Sequence, residues 1–170
     1  KVYWTGKKIT GSAHTGYISI SNGMLDVTGT SVVGGVVNID VNSIVCTDLE
    51  NEEYNKKLVG HLKGEDFFDV EKFPSAKFEI SSISGSGEEA NVTGKLTMKG
   101  KTHEITFPAK ISVVGSQVTA QGTASVDRTK WGVEYGSGSI FKELGDKAIN
   151  DEFEIKFDLV ANSNDVKLSN

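Results

Sequence analysis

One cysteine, two prolines, three histidines and, among 18 basic residues, a single arginine make this 170-residue chain notable first for what it has little of. With Cys46 alone, an internal disulfide, a zinc site built from several cysteines and a redox pair are all excluded, and the residue reads as a small buried hydrophobe. His14, His61 and His103 form no H-x-x-x-H or H-x-H pair, so no local metal site is expected. No apolar run approaches the ~18 residues needed to cross a bilayer. A net charge of −5, spread over interspersed lysines and glutamates, offers no concentrated basic face for nucleic acid. The chain opens on Lys1 rather than Met with no signal peptide before its first strand, so the expectation is a processed or trimmed chain. No G-x-S-x-G, Walker or G-x-G-x-x-G pattern stands between a strand and a helix; "GSGSI" and "GSGEE" are glycine-rich turns. The acidic residues fall mainly on outward phases, which argues against a buried carboxylate dyad; no catalytic constellation is visible and the chain does not read as an enzyme.

What the chain does have is glycine (19) and period-two alternation from end to end. In "QVTAQGTASVD" (117–127), Thr119, Gln121, Thr123 and Ser125 hold one phase, against Val118, Ala120, Gly122, Ala124 and Val126. That is a strand with one wet and one dry face, but a dry face too small to build a core. Phe78 and Ile80, then Leu96 and Met98, then Ile105, Phe107, Ala109 and Ile111, and finally Phe153, Ile155, Phe157 and Leu159 continue the inward set along later runs. The N-terminal third is noisier, with strands expected at Val2–Ile9, Gly16–Ser21, Met24–Thr28 and Gly35–Ile44. Turn signals at "SNG" (21–23), "SGSGEE" (84–89), "KGK" (99–101) and "VGS" (114–116) separate the runs. Pro108 lacks a ladder donor and so marks a bulge or an edge.

The pattern reads as one all-β domain over 1–170, an antiparallel meander of about eight strands. A closed barrel removes its edges, with an open sandwich as the alternative. Residues 47–70 break the period: Tyr54, Leu58 and Leu62 at spacing four give a short helix at about 48–63. A Thr47/Glu50 capping box would start it and Gly64 would end it, near one end of the barrel. Small inward residues favour a barrel that holds a ligand over one filled by large side chains.

The expected lumen wall comprises Trp4, Phe78, Leu96, Met98, Ile105, Phe107, Ala120, Ala124, Phe153, Ile155 and Phe157. His61, Leu62, Phe67, Phe73 and Trp131 are expected nearer one mouth. Arg128, in "DRTKWG", reads either as a salt-bridge partner or as a bidentate contact for a ligand's anionic group.

Three stretches, "GEDFFDVEKFPSAKFEISSI", "GKLTMKGKTHEITFPAKI" and "DRTKWGV", in that order, resemble the YceI-like family of polyisoprenoid-binding proteins. The resemblance runs from Trp4 to about Ala161, with "GGVVNID" (34–40) and "HL" (61–62) at matching places. "KKLVG" stands where the family often has an Arg-Asp pair, and Val36 where an aromatic follows the Gly-Gly. The resemblance implies a lipocalin-like barrel, often a homodimer, holding a long isoprenoid lipid in its lumen without a cofactor. It also implies export to the periplasm or bacterial cell envelope. The rival expectations are a barrel enzyme acting on a lipid, its titratable group supplied by His61, His103 or a tyrosine, and a structural envelope protein with a filled barrel and no ligand.

Overall fold

Alternating side chains put one face of each run against its neighbours, and in the computed structural model these runs pair in chain order. The structure describes residues 1–162 and 165–169. The strands are β1 (Val2–Lys7), β2 (Ala13–Thr28), β3 (Ser31–Cys46), β4 (Ser75–Ser84), β5 (Ala90–Met98), β6 (Lys101–Val114), β7 (Gln117–Asp127), β8 (Glu152–Ala161) and β9 (Val166–Ser169); the helix α1 (Glu52–Lys63) lies between β3 and β4. Each of the first eight strands is antiparallel to its sequence neighbours, and β1 pairs with both β2 and β8. The result is a closed eight-stranded up-and-down barrel, so the sandwich alternative falls. The ninth strand, absent from the sequence reading, lies parallel to β2 along Leu25–Thr28. No helix among the described residues is long and apolar enough to cross a membrane.

Local chemistry explains the turns. The β5–β6 hairpin closes through Lys99 and Gly100, both with positive φ (51° and 74°), the twist-matched two-residue connection. Pro108 pairs with Asn91 on β5, but the β6–β7 ladder begins only at Ala109↔Gly122. The residue without an N–H therefore sits where that ladder ends, the edge position expected for it. "SNG" is not a turn: β2 runs through it as one strand, and the register against β3 shifts between Ile20 and Asn22. The Asn-Gly signal marks an irregularity rather than a reversal.

The helix starts later than expected. Asn51, not Thr47, is its N-cap, and its side chain accepts from the Tyr54 amide at 3.1 Å. Thr47 instead donates through Oγ1 to the Thr15 carbonyl. Gly64 does end the helix, its N–H donating to the Gly60 and His61 carbonyls. The barrel end under α1 is packed by Trp4, Ile18, Ile44, Leu62, Phe67 and Val133; the opposite end is closed by Val27, Val32, Val118 and Val166.

Just past β3, Asp48 ties this strand back to β2. Its Oδ1 accepts from the Thr15 amide (2.8 Å) and the Cys46 thiol (3.1 Å), and its Oδ2 lies 2.8 Å from His14 Nδ1. Partial burial pushes the carboxyl up, but the Thr15 amide and the His14 and Cys46 contacts outweigh it and hold Asp48 at about 2, below its ordinary 3.8. A carboxyl depressed in this way stabilises the fold above its unfolded value, and that contribution fades as pH falls from 3.8 towards 2. Asp48→Asn should therefore be less stable than the parent at pH 7, with the gap closing near pH 2. Urea unfolding of both proteins across that range checks it, and an undiminished gap at low pH would contradict the assignment.

Candidate functional site

Inward residues of the barrel enclose a cavity of ≈ 850 Å³, in the upper part of the range of small-molecule sites. Ala76, Phe78 and Ile80 of β4 and Val92, Leu96 and Met98 of β5 line it. So do Ile105, Phe107, Ala109 and Ile111 of β6. From β7 come Val118, Ala120, Ala124 and Val126, and from β8 Phe153, Ile155, Phe157 and Leu159; Trp4 enters from β1. Leu58 and Leu62 of α1 with Phe67 and Phe68 form the roof on the helix side. Three rings cross the middle in sequence: Phe78 lies 5.4 Å from Phe107, and Phe107 lies 5.4 Å from Phe157.

The small inward residues of the sequence divide into two kinds. Gly94 and Gly122 are not spare room: a Cβ on Gly94 would stand 2.4 Å from the Phe78 ring, and one on Gly122 would stand 2.6 Å from the Phe157 ring. Each glycine lets an aromatic lie flat across its strand. Ala76, Ala109, Ala120, Ala124 and Ala161 face the cavity itself, and these leave the space.

Polar wall groups are confined to the margins. Lys7, Lys8, Ser12, His14, Arg128 and Asn150 sit towards the β1–β2 hairpin; Lys1, Ser21, Asn22, Asp158 and Asp165 sit beyond the Val2 end of β1. The middle of the wall carries no charge.

Three expected mouth residues lie outside the wall. His61 turns away from the lumen, with Nε2 3.0 Å from Asp66 Oδ2 and its ring edge-on to Phe67 and Tyr135. Phe73 packs beneath Gly100 at the β5–β6 turn. Trp131 is only 1% exposed, donates its indole N–H to the Leu96 carbonyl at 3.0 Å and meets His103 edge-on. It covers the stretch of wall where β6 and β7 have parted.

Arg128 reaches the wall, but its guanidinium is not in the expected salt bridge. Among the described residues it makes no ion pair within 4 Å. It donates instead to four main-chain carbonyls: Asn150 (3.0 Å), Val133 (2.9 Å), Tyr135 (2.8 Å) and Ile149 (3.2 Å). Asp151, pushed up by burial but pulled below its ordinary value by the Ser137 and Ser139 hydroxyls and the Arg128 charge, stands nearby. A single arginine thus fastens the excursion between β7 and β8 to the barrel.

The sequence reading missed the β2 and β3 wall: Ile18, Ile20, Val37, Ile39, Val41 and Ile44. Val37, Ile39 and Val41 do alternate with Asn38, Asp40 and Asn42. The phase then slips before Ile44, because the β2–β3 register jumps from Tyr17↔Val45 to Ser19↔Asp40. Ser43 fills the irregularity, donating to the Asp40 carbonyl and accepting from the Ser19 amide.

A closed antiparallel barrel around an apolar cavity, roofed by one short helix, is the architecture of lipocalin-like single-domain barrels. Within that class the chain belongs to the YceI-like domain family, which it matches over residues 1–161. It is 29% identical to Protein YceI of Escherichia coli O157:H7 over 161 residues, covering 91% of this chain and 73% of that protein. It is 30% identical to a UPF0312 protein of Pseudomonas aeruginosa over 114 residues, 64% of this chain, and so spans only about half (56%) of that relative's length. Among solved structures, Burkholderia cenocepacia BcnA superposes with a TM-score of 0.66 at 28% identity, covering 95% and 96% of the two chains. A polyisoprenoid binding domain from Saccharophagus degradans shares the fold at a TM-score of 0.63 and 12% identity, covering 95% and 92%.

Proposed function

We propose that this chain binds a long apolar lipid of the isoprenoid type in its barrel and carries or sequesters it, as a binding protein rather than an enzyme. The observation that carries this reading is the ≈ 850 Å³ cavity with an uncharged middle. Each CH₂ moved into such a space contributes about 0.8 kcal/mol, so a chain of roughly ten buried carbons binds tightly with few polar contacts. The Saccharophagus degradans domain of this fold is described as polyisoprenoid-binding, which supplies a ligand class to test. The enzyme alternative looked to His61, His103 or a tyrosine, and none of these lines the cavity. Following the family resemblance, we place the protein in the bacterial cell envelope.

Ala124 provides the test. It is buried on the wall of the cavity, opposite Ile155 on β8. In a solidly packed barrel, three added carbons cost about 1–3 kcal/mol. In a lipid cavity, Ala124→Leu should change the stability of delipidated protein by less than about 1 kcal/mol, yet sharply lower the lipid retained on purification, read by native mass spectrometry. Because the centre of the wall is uncharged, affinity for a polyprenyl probe should also hold steady between low and physiological salt. A destabilised Ala124→Leu that retains lipid normally would defeat the proposal.

A further inference from the structure

Apart from the apolar centre, three metal-ligating side chains from two distant parts of the sequence converge where β2 meets the end of β3. His14, Cys46 and Asp48 each bring one ligand atom within 4.8 Å of the other two. The frame beneath them is fixed by main-chain pairing: Gly16 pairs with Cys46, and the Thr47 amide donates to the Thr15 carbonyl at 2.9 Å. The three side chains meet through hydrogen atoms, one between His14 Nδ1 and Asp48 Oδ2 (2.8 Å) and one from Cys46 Sγ to Asp48 Oδ1 (3.1 Å).

The geometry points to a site for a borderline-soft divalent cation, Zn²⁺ foremost, held by the His14 imidazole, the Cys46 thiolate and the Asp48 carboxylate with solvent in a fourth position. Nitrogen, sulfur and oxygen donors together select zinc over magnesium or calcium. Tetrahedral zinc with ordinary bond lengths sets its ligand atoms about 3.4–3.6 Å apart. The two hydrogen-bonded pairs must therefore part by roughly half an ångström and the third pair must close, movements within reach of side-chain rotation. Zinc would take the place of the hydrogens that now join the three groups. The Cys46 proton leaves to solvent, as does one from His14 when that ring is charged, and nothing is oxidised or reduced. The Thr15 amide stays on Asp48 Oδ1 at 2.8 Å and orients the carboxylate as an outer partner. Access is open, since the His14 and Asp48 side chains are 43% and 31% exposed while Cys46 lies beneath them. No spacing rule finds this site, because His14 and Cys46 are brought together only by the β2–β3 ladder. It stands independently of the lipid reading.

Cobalt titration of the reduced full chain tests it. Cys46 is the only cysteine, so a thiolate-to-cobalt charge-transfer band can arise nowhere else. The band should saturate at one equivalent, vanish on zinc addition and be absent in Cys46→Ser. His14→Gln and Asp48→Asn should each weaken cobalt binding at least about tenfold. If Asp48→Asn does not fold, His14→Gln decides, because its half-exposed side chain can change without disturbing the core. No band at millimolar cobalt, or a band of unchanged affinity in His14→Gln, would overturn the proposal.

Discussion

Arg128→Met should lose on the order of 4 kcal/mol of folding stability, read by urea unfolding. Arg128 is 4% exposed, and its guanidinium satisfies four carbonyls from residues 133, 135, 149 and 150 at once. Methionine fills much of the volume but leaves those oxygens without donors, and each buried orphan costs about 1–3 kcal/mol unless water reaches it. Arg128→Lys should recover little, because an ammonium is a point charge on a flexible stem and cannot span the fork of carbonyls. The damage should centre on the β7–β8 excursion, with faster amide exchange at Val133–Ile149 before β7 or β8 loses protection. A loss below about 1 kcal/mol would mean that the four bonds carry no net stability.

Gly16→Ala should be of comparable severity, about 3 kcal/mol or more, at the upper edge of overpacking costs. Trp4 of β1 pairs with Gly16 of β2, and its indole crosses that strand to donate to the Val45 carbonyl of β3 at 3.1 Å. A Cβ at Gly16 would lie 1.8 Å from that oxygen and 2.8 Å from the indole. A backbone oxygen cannot swing aside as a side chain can, so the strands must separate. Gly6→Ala is the matched control: it lies on β1 in the same hairpin, and its Cβ would meet nothing within 4 Å. It should stay within about 0.5 kcal/mol of the parent. Equal losses in both variants would indicate that the cost does not arise at this crossing, since alanine is itself the better strand residue.

The strands were the legible part of the sequence, for a physical reason. A pleat forces successive side chains to opposite faces, so a run such as Ile105, Phe107, Ala109 and Ile111 declares its inward phase without tertiary knowledge. That logic placed Phe78, Leu96, Met98, Ala120, Ala124, Phe153, Ile155 and Phe157 on the cavity wall. It fails where no pleat governs direction. Trp131 sits in a 3₁₀ turn and Phe73 in a loop, and His61 stands at the last turn of a helix whose roll about its axis is set by packing. It also fails across the β2–β3 register shifts, where one slip exchanges inside for outside. The partners of Arg128 were beyond reach for a different reason: main-chain carbonyls leave no mark in residue identity.

The strand order carries a kinetic consequence. Of the eight ladders that close the barrel, seven join sequence neighbours, through tight turns, the α1 segment or the β7–β8 excursion; only β1–β8 joins the two extremes of the chain. Hairpins of this kind form early because little loop entropy is lost, whereas the closing ladder bears the entropy of a loop about 150 residues long. Assembly is therefore expected to proceed as a growing, curling sheet that becomes a vessel only in its final step. Until then the apolar wall is an open surface, and a lipid present during folding meets it before the barrel shuts.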